Sequence, residues 1–431
     1  MRTESNARRR LTIFGSALLG LFISAAAQAA QWDRFPDWHE PPLEGFDAPR
    51  KKPFDEFYPA LAPQWTPESS HWFRLDRAAR FGIGYGATLN RVDGVSFVLS
   101  QELSPRGFGP AIRLYEGYGL TSEEWSGSFE LAVHPFLRDL EVGVRLADET
   151  IAWPLPRQAI RSEENFAAAF FAREEFRDYL RRRGAAGFLR FSPDRTRSVA
   201  LTYLAESHDS RRRRIAEFGI FGGNERFDPN PSVEEGDWNA IQLRGYWTGG
   251  GDRSLWGPDL TRALLIDAIW SGGDLGGERW FTRVWAEHRG WIQISPAQSL
   301  GYRIQGGGAP QGNAAADGSL LPVQWQFQAG GVGSLRGHRF QEFRGDRMLL
   351  GTLEYGLDVD ANARPVLFVD GGMAWNESDD RNEGVAGSGP LALDGGVGVL
   401  FGSDGMRIDV ARDLRAVRAP ARVSVRLSRS F

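Results

Sequence analysis

Leu349-Leu350-Gly351-Thr352-Leu353-Glu354-Tyr355-Gly356-Leu357-Asp358-Val359 reads in steps of two. Leu349, Leu353, Tyr355, Leu357 and Val359 fall on one side of an extended chain, and Thr352, Glu354 and Asp358 on the other, because successive strand side chains point to opposite faces. The same alternation recurs from residue 80 onward. Phe81, Ile83, Tyr85 and Ala87 alternate with Gly82, Gly84 and Gly86. Trp125, Phe129, Leu131 and Val133 oppose Ser126, Ser128 and Glu130, and Leu140, Val142, Val144 and Leu146 oppose Glu141, Gly143 and Arg145. Ile241, Leu243 and Trp247 oppose Gln242, Arg244 and Tyr246, and Leu391, Leu393, Val397, Val399 and Phe401 oppose Asp394, Gly396 and Gly398.

A water-soluble sandwich also alternates, so the polar faces decide the class. Together they carry more Arg, Glu, Asp and Gln than a dry core could satisfy. In a membrane barrel that face lines a wet lumen while the apolar face meets lipid. The fold class expected is therefore all-β, a transmembrane antiparallel β-barrel. Segments near 80–90, 94–103, 109–120, 124–135, 139–149, 184–193, 197–208 and 237–248 give eight strands. Those near 262–272, 279–293, 298–307, 347–359, 364–376, 390–402, 405–414 and 421–431 bring the count to about sixteen. With the first strand rising outward, the long connections 150–183, 209–236 and 308–346 fall outside, and the turns on the other side are mostly short.

The N-terminus supplies the compartment. Arg2, Arg8, Arg9 and Arg10 precede an apolar run from Leu11 to Ala27, and Ala27-Gln28-Ala29 follows as a small-residue cleavage pattern. Residues 1–29 are thus expected to be a signal peptide. Residues 30–72, rich in Pro, Trp and charge without a period, read as an irregular periplasmic segment, and 73–431 as the barrel. Nothing after the signal approaches the roughly 18–20 apolar residues of a membrane helix. There is no cysteine, which excludes disulfides and thiolate metal sites. A net charge of −4 gives no argument for nucleic acid. The chain ends on Phe431, with Val423, Val425 and Leu427 at alternating positions before it. That ending resembles the signal that targets bacterial barrels for insertion, although Arg429 stands where an apolar residue is usual.

Two motifs narrow the family. Gly330 to Phe340 reads GGVGSLRGHRF in the last long outer loop, and LFVDGGMAW follows from Leu367 to Trp375. In order and spacing they resemble the sixth-loop motif and the Phe-x-Asp-x-Gly strand of the outer-membrane assembly barrels. This superfamily includes BamA, TamA and the two-partner-secretion transporters, and is also known as the bacterial surface antigen family. The matching residues are Leu335, Arg336 and Gly337 in the loop, and Phe368, Asp370 and Gly372 in the strand. Glu354 resembles the acidic residue of the strand between them. His338 stands where the family has an aromatic. The resemblance implies a sixth outer loop folded into the lumen, with Arg336 reaching carboxylates on the inner wall. The alternation independently places Glu354 and Asp370 on that wall. It also implies a weak seam between first and last strands, here assigned to Gly82, Gly84, Gly86 and Phe431, since glycine weakens strands. The family generally carries POTRA domains ahead of the barrel, and some forty residues between signal and barrel are too few for one, so a POTRA-less member is expected.

Other features carry less. Residues 162–183 are the one clear helical stretch, with Ser162 as cap, Glu163 and Glu164 in the first turn and Arg181 to Arg183 in the last. It reads as a loop helix over or inside the barrel mouth, with a gate or partner-docking helix as the sharper alternative. Arg211 to Arg214 suit lipopolysaccharide phosphates, or form a solvated loop balanced by Glu217, Glu234 and Glu235. His39, His71, His134, His208, His288 and His338 lie far apart, with no serine, metal or phosphate-loop motif around them. No catalytic residue, metal or cofactor is expected, and no enzyme.

The function expected is an integral protein of a Gram-negative outer membrane that takes part in membrane biogenesis or in translocation or insertion of proteins or other molecules. Its partners would be outer-membrane lipid, lipopolysaccharide and a periplasmic protein. A passive channel is the alternative, and a lipid-modifying barrel enzyme a distant one.

Overall fold

The computed structural model describes residues 71–76, 81–103, 110–153 (less 136 and 138), 160, 162–194, 197–217, 226–249, 260–314 (less 296), 318–359, 363–376, 391–401, 406–416 and 419–426. The signal peptide, nearly all of the 30–72 segment, and the terminal Leu427, Arg429 and Phe431 lie outside these residues.

The strands are β1 (His71–Asp76), β2 (Phe81–Asn90), β3 (Gly94–Leu103), β4 (Ala111–Gly119), β5 (Glu124–Val133) and β6 (Leu140–Trp153). After helix α1 (Ser162–Ala172) come β7 (Asp178–Asp194), β8 (Arg197–Ser210), β9 (Gly236–Gly249), β10 (Leu260–Ser271), β11 (Phe281–Ser295) and β12 (Gln298–Gly312). A short hairpin of β13 (Phe327–Ala329) and β14 (Phe343–Gly345) interrupts the series. It resumes with β15 (Arg347–Leu357), β16 (Ala363–Trp375), β17 (Ala392–Phe401), β18 (Arg407–Asp413) and β19 (Arg422–Arg426).

Leaving that hairpin aside, each strand pairs antiparallel with the next. One sheet of seventeen strands results. Among the described residues no helix is long and apolar enough to cross a membrane. The outward side chains of the strands are the apolar set: Tyr85, Phe97, Trp125, Leu146, Leu201, Trp247, Trp270, Leu353, Leu367 and Val397 are all exposed. An apolar exterior on a sheet with a charged inner face is the pattern of a barrel in lipid.

All sixteen expected strands are present, and two features correct the sequence reading. The seventeenth strand, β1, crosses the expected boundary at residue 73. It pairs with β2, setting Trp72 opposite Gly84 and Arg74 opposite Gly82. The strand holding Gly82, Gly84 and Gly86 is therefore the second of the described sheet. The helix is the other correction, since α1 ends at Ala172, where Arg173 takes a positive φ of 58°. Residues 178–183 belong to β7 instead. Arg181 and Arg183 pair with Asp148, and Arg182 with Glu149 of the neighbouring β6, and these partners make the arginine run a strand. Phe166 and Phe170 do share a helix face, where with Ala169 they pack on Leu89, Val95, Ile215 and Phe227.

The inner side divides in two. On β3–β8 it carries ion pairs. On β9–β12 buried ion pairs such as Arg244 and Arg283 with Asp267 lie beside an apolar patch, where Trp238, Tyr246, Leu265, Ile269, Phe281 and Trp285 cluster with Leu321, Trp325, Phe327 and Leu335 of the long loop after β12.

Candidate functional site

The loop between β12 and β15 is built to stand rigidly against the wall. Its base is the β13–β14 hairpin, in register from Phe327 opposite Gly345 to Ala329 opposite Phe343. At its tip Gly331 N–H donates to Leu335 O at 2.8 Å, Gly330 N–H to Ser334 Oγ at 2.8 Å and His338 N–H to Leu335 O at 3.1 Å. This tight turn sends Leu335, fully buried, into the apolar cluster and presents Arg336 to the wall. Burying one such leucine is worth about 1.5–3 kcal/mol.

Arg336 uses its whole guanidinium. Nε donates to Asp370 Oδ2 at 2.6 Å and Nη2 to Asp370 Oδ1 at 2.8 Å, a bidentate fork, while Nη1 donates to Glu354 Oε1 at 2.7 Å. Its central carbon lies 3.3 Å from the ring centroid of Phe368, a cation–π contact that fixes the plane of the fork. Glu354 is shared: Arg407 donates to it at 2.5 and 3.0 Å, and also grips Asp409 at 2.8 Å. Burial alone would lower the pKa of Arg336, but Asp370, Glu354 and Asp409 outweigh it and hold the group charged. Arg407 would still hold Glu354 and Asp409, but removing Arg336 would leave the buried Asp370 without its ion-pair partner, at a cost of about 3–5 kcal/mol.

Gly337 allows the close approach. Its N–H donates to Asp394 Oδ2 at 2.7 Å, and a Cβ there would lie 2.7 Å from Asp394 Cγ and from the Arg412 backbone carbon. Gly372 serves the strand in the same way, since at φ +153° a Cβ would lie 2.3 Å from Leu349 O.

The structure thus brings together Leu335, Arg336, Gly337, Glu354, Phe368 and Asp370, with Gly372 one inward position beyond Asp370 on β16. Sequence reading put Asp394 on the polar face without a role, and missed Arg407, Asp409 and Asp413. Arg407 and Asp409 share a strand face two residues apart, a signal available in Arg407-Ile408-Asp409. It also treated the histidines as dispersed, whereas His338 Nδ1 lies 3.0 Å from Asp394 Oδ1 and Nε2 lies 3.8 Å from Asp413 Oδ2. The basic run is balanced by other acids than those expected. Arg211 pairs with Asp93 and Glu124, and Arg214 with Glu124. Glu217 and Glu234 instead pair with Arg226 and Arg279.

An arginine of an inward loop forked onto carboxylates of two late strands is the arrangement that the assembly-barrel resemblance implies. The model of the Omp85 superfamily domain matches residues 184–411, more than half of the chain. The chain belongs to the Omp85 superfamily. Among solved structures, it is similar to BamA from Haemophilus ducreyi lacking POTRA domains 1–3, at 14% identity and a TM-score of 0.53. That match covers 82% of this chain and 73% of the other. It is also similar to CdiB from Acinetobacter baumannii, at 12% identity and a TM-score of 0.42, covering 80% of this chain and 58% of that one. A search of curated proteins finds no match. In this Omp85 barrel the loop motif and its wall form one buried unit, although identities this low support the fold alone.

Proposed function

We propose that this Omp85 barrel resides in the outer membrane of a Gram-negative cell and helps insert proteins into that membrane, or translocate proteins or other molecules across it. Lipid meets its apolar exterior, and a periplasmic protein is its partner. The observation that carries the reading is the docked Arg336, because a rigid plug held on the last strands ties the lumen to the part of the barrel nearest the seam. The exposed outward face supports residence in lipid. The passive-channel alternative draws no support from the loop, whose apolar side chains pack on the inner face of β9–β12.

A labile seam is part of the proposal. Because β1 lies beyond β2, the proposed seam runs between β1 and β19 rather than beside the glycines of β2, which lie one strand inward. The chain has no cysteine of its own, so paired cysteines report cleanly. We would scan Trp72→Cys, and Gly84→Cys for comparison, against Val423→Cys and Val425→Cys in cells. Partial crosslinks in several registers, with outer-membrane defects once locked, are expected. Complete crosslinking in one register without a defect would contradict an insertion role. Steady conductance of the purified barrel in planar bilayers would then favour a channel.

A further inference from the structure

We propose that His338, Asp394 and Asp413 form a site for a divalent transition-metal ion, Zn2+ or a similarly borderline cation, which staples the tip of the inward loop to β17 and β18. The inference rests on no particular role for the barrel.

The register creates the need. Asp370 stands directly opposite Asp394, and Asp394 directly opposite Asp413, so three carboxylates lie in one row across three strands. Like charges directly opposite one another destabilise a sheet unless something intervenes. Asp370 is answered by both arms of the Arg336 fork. Asp394 Oδ2 accepts Gly337 N–H, and Asp413 Oδ1 accepts Arg415 N–H at 2.8 Å, but neither donor carries a full charge. What faces the remaining two charges is the imidazole of His338, flanked by the Phe343 ring at 5.1 Å. A neutral imidazole leaves two negative charges and an imidazolium leaves one. A divalent ion on a neutral imidazole leaves none.

The unpaired atoms point the same way. Asp394 is fully buried, and its Oδ1 has no hydrogen-bond partner, nor has the buried Nδ1 of His338. The two atoms face each other at 3.0 Å, a separation that two ligands of one ion can have. One donor atom from each of the three residues lies within 4.8 Å of the others. Tetrahedral zinc, with bonds of about 2.0–2.1 Å, needs ligands about 3.3 Å apart. Asp394 and His338 are near that spacing already, and Asp413, the most exposed of the three, closes the remainder by a change of rotamer. Its exposure also leaves a side open for water as fourth ligand. One nitrogen and two carboxylate oxygens suit zinc and its neighbours better than calcium or magnesium, which take oxygen alone.

The test uses the whole chain, free of any affinity tag, in detergent micelles after chelation and dialysis. Calorimetric titration with Zn2+ should show one equivalent, and Co2+ should develop visible bands of a four- or five-coordinate N/O site. His338→Gln and Asp413→Asn should each weaken Zn2+ binding more than about tenfold, while Arg339→Gln leaves it unchanged. Zn2+ should raise the unfolding midpoint of the parent chain and not that of His338→Gln. Absence of saturable one-equivalent binding to the parent chain would overturn the proposal without any variant. Affinity unchanged from the parent chain in both ligand variants would overturn it too, as would a His338 ring that stays doubly protonated at pH 7 in excess Zn2+.

Discussion

Two rows of side chains cross the inner wall in strict register, and they differ in sign pattern. On β3–β6 the row reads Glu102, Arg113, Glu130, Arg145, alternating from strand to strand. On β15–β18 it reads Thr352, Asp370, Asp394, Asp413, acidic on every strand after the first. The alternating row balances itself: Arg113 binds Glu102, Glu130 and Glu141, and Glu141 also accepts Arg190. The acidic row cannot, and the groups that face it come from a loop 34 to 75 residues distant in sequence, as Arg336, the Gly337 N–H and His338. A wall that satisfies its own charges is scaffold. One left unbalanced is a receptor for something else, here the loop that defines the family.

Substitutions can break this contrast. The largest effect is expected for Arg336→Ala, which leaves Asp370 and shared Glu354 buried together and should cost about 3–5 kcal/mol, read as a fall in the unfolding midpoint in detergent. Leu335→Ala removes the apolar half of the same anchor and should cost about 2–5 kcal/mol, with new protease cleavage between residues 330 and 342. Arg113→Ala strikes the self-balanced row. Its partly open site should limit the loss to about 1–3 kcal/mol, with the loop still protected from protease. Arg226→Ala breaks only the exposed pair with Glu217, and should move stability by less than about 0.5 kcal/mol. If Arg113→Ala matched Arg336→Ala in depth and in loop release, the distinction between scaffold and receptor would fail.

Period-two patterning made the strands legible because a lipid face and a polar lumen impose opposite demands on adjacent residues. Glu354 and Asp370 could be placed inside for that reason, and the loop motif named their partner. Patterning is weakest where it meets an apolar lumen. In β10, Ala263-Leu264-Leu265-Ile266-Asp267-Ala268-Ile269 hardly alternates, since one face meets lipid and the other meets Trp325 and Leu335. The six residues of β1 sit in a Pro- and Trp-rich context without a period long enough to detect. The arginines of 181–183 fit a helix C-terminus and a strand equally well by composition, and only their cross-strand acids on β6 decide between them. The acidic row itself depends on register between strands, which spacing along one chain does not encode.

The most direct test is a double-mutant cycle between Arg336→Met and Asp370→Asn, read by reversible unfolding of the barrel in detergent. If the acidic row is the loop's receptor, Asp370→Asn costs stability in the parent chain and little or nothing beside Arg336→Met, with a coupling of at least about 2 kcal/mol. Additive losses, with coupling below about 0.5 kcal/mol, would mean that the two residues meet without depending on each other, and the charge-receptor explanation of the docked loop would be wrong.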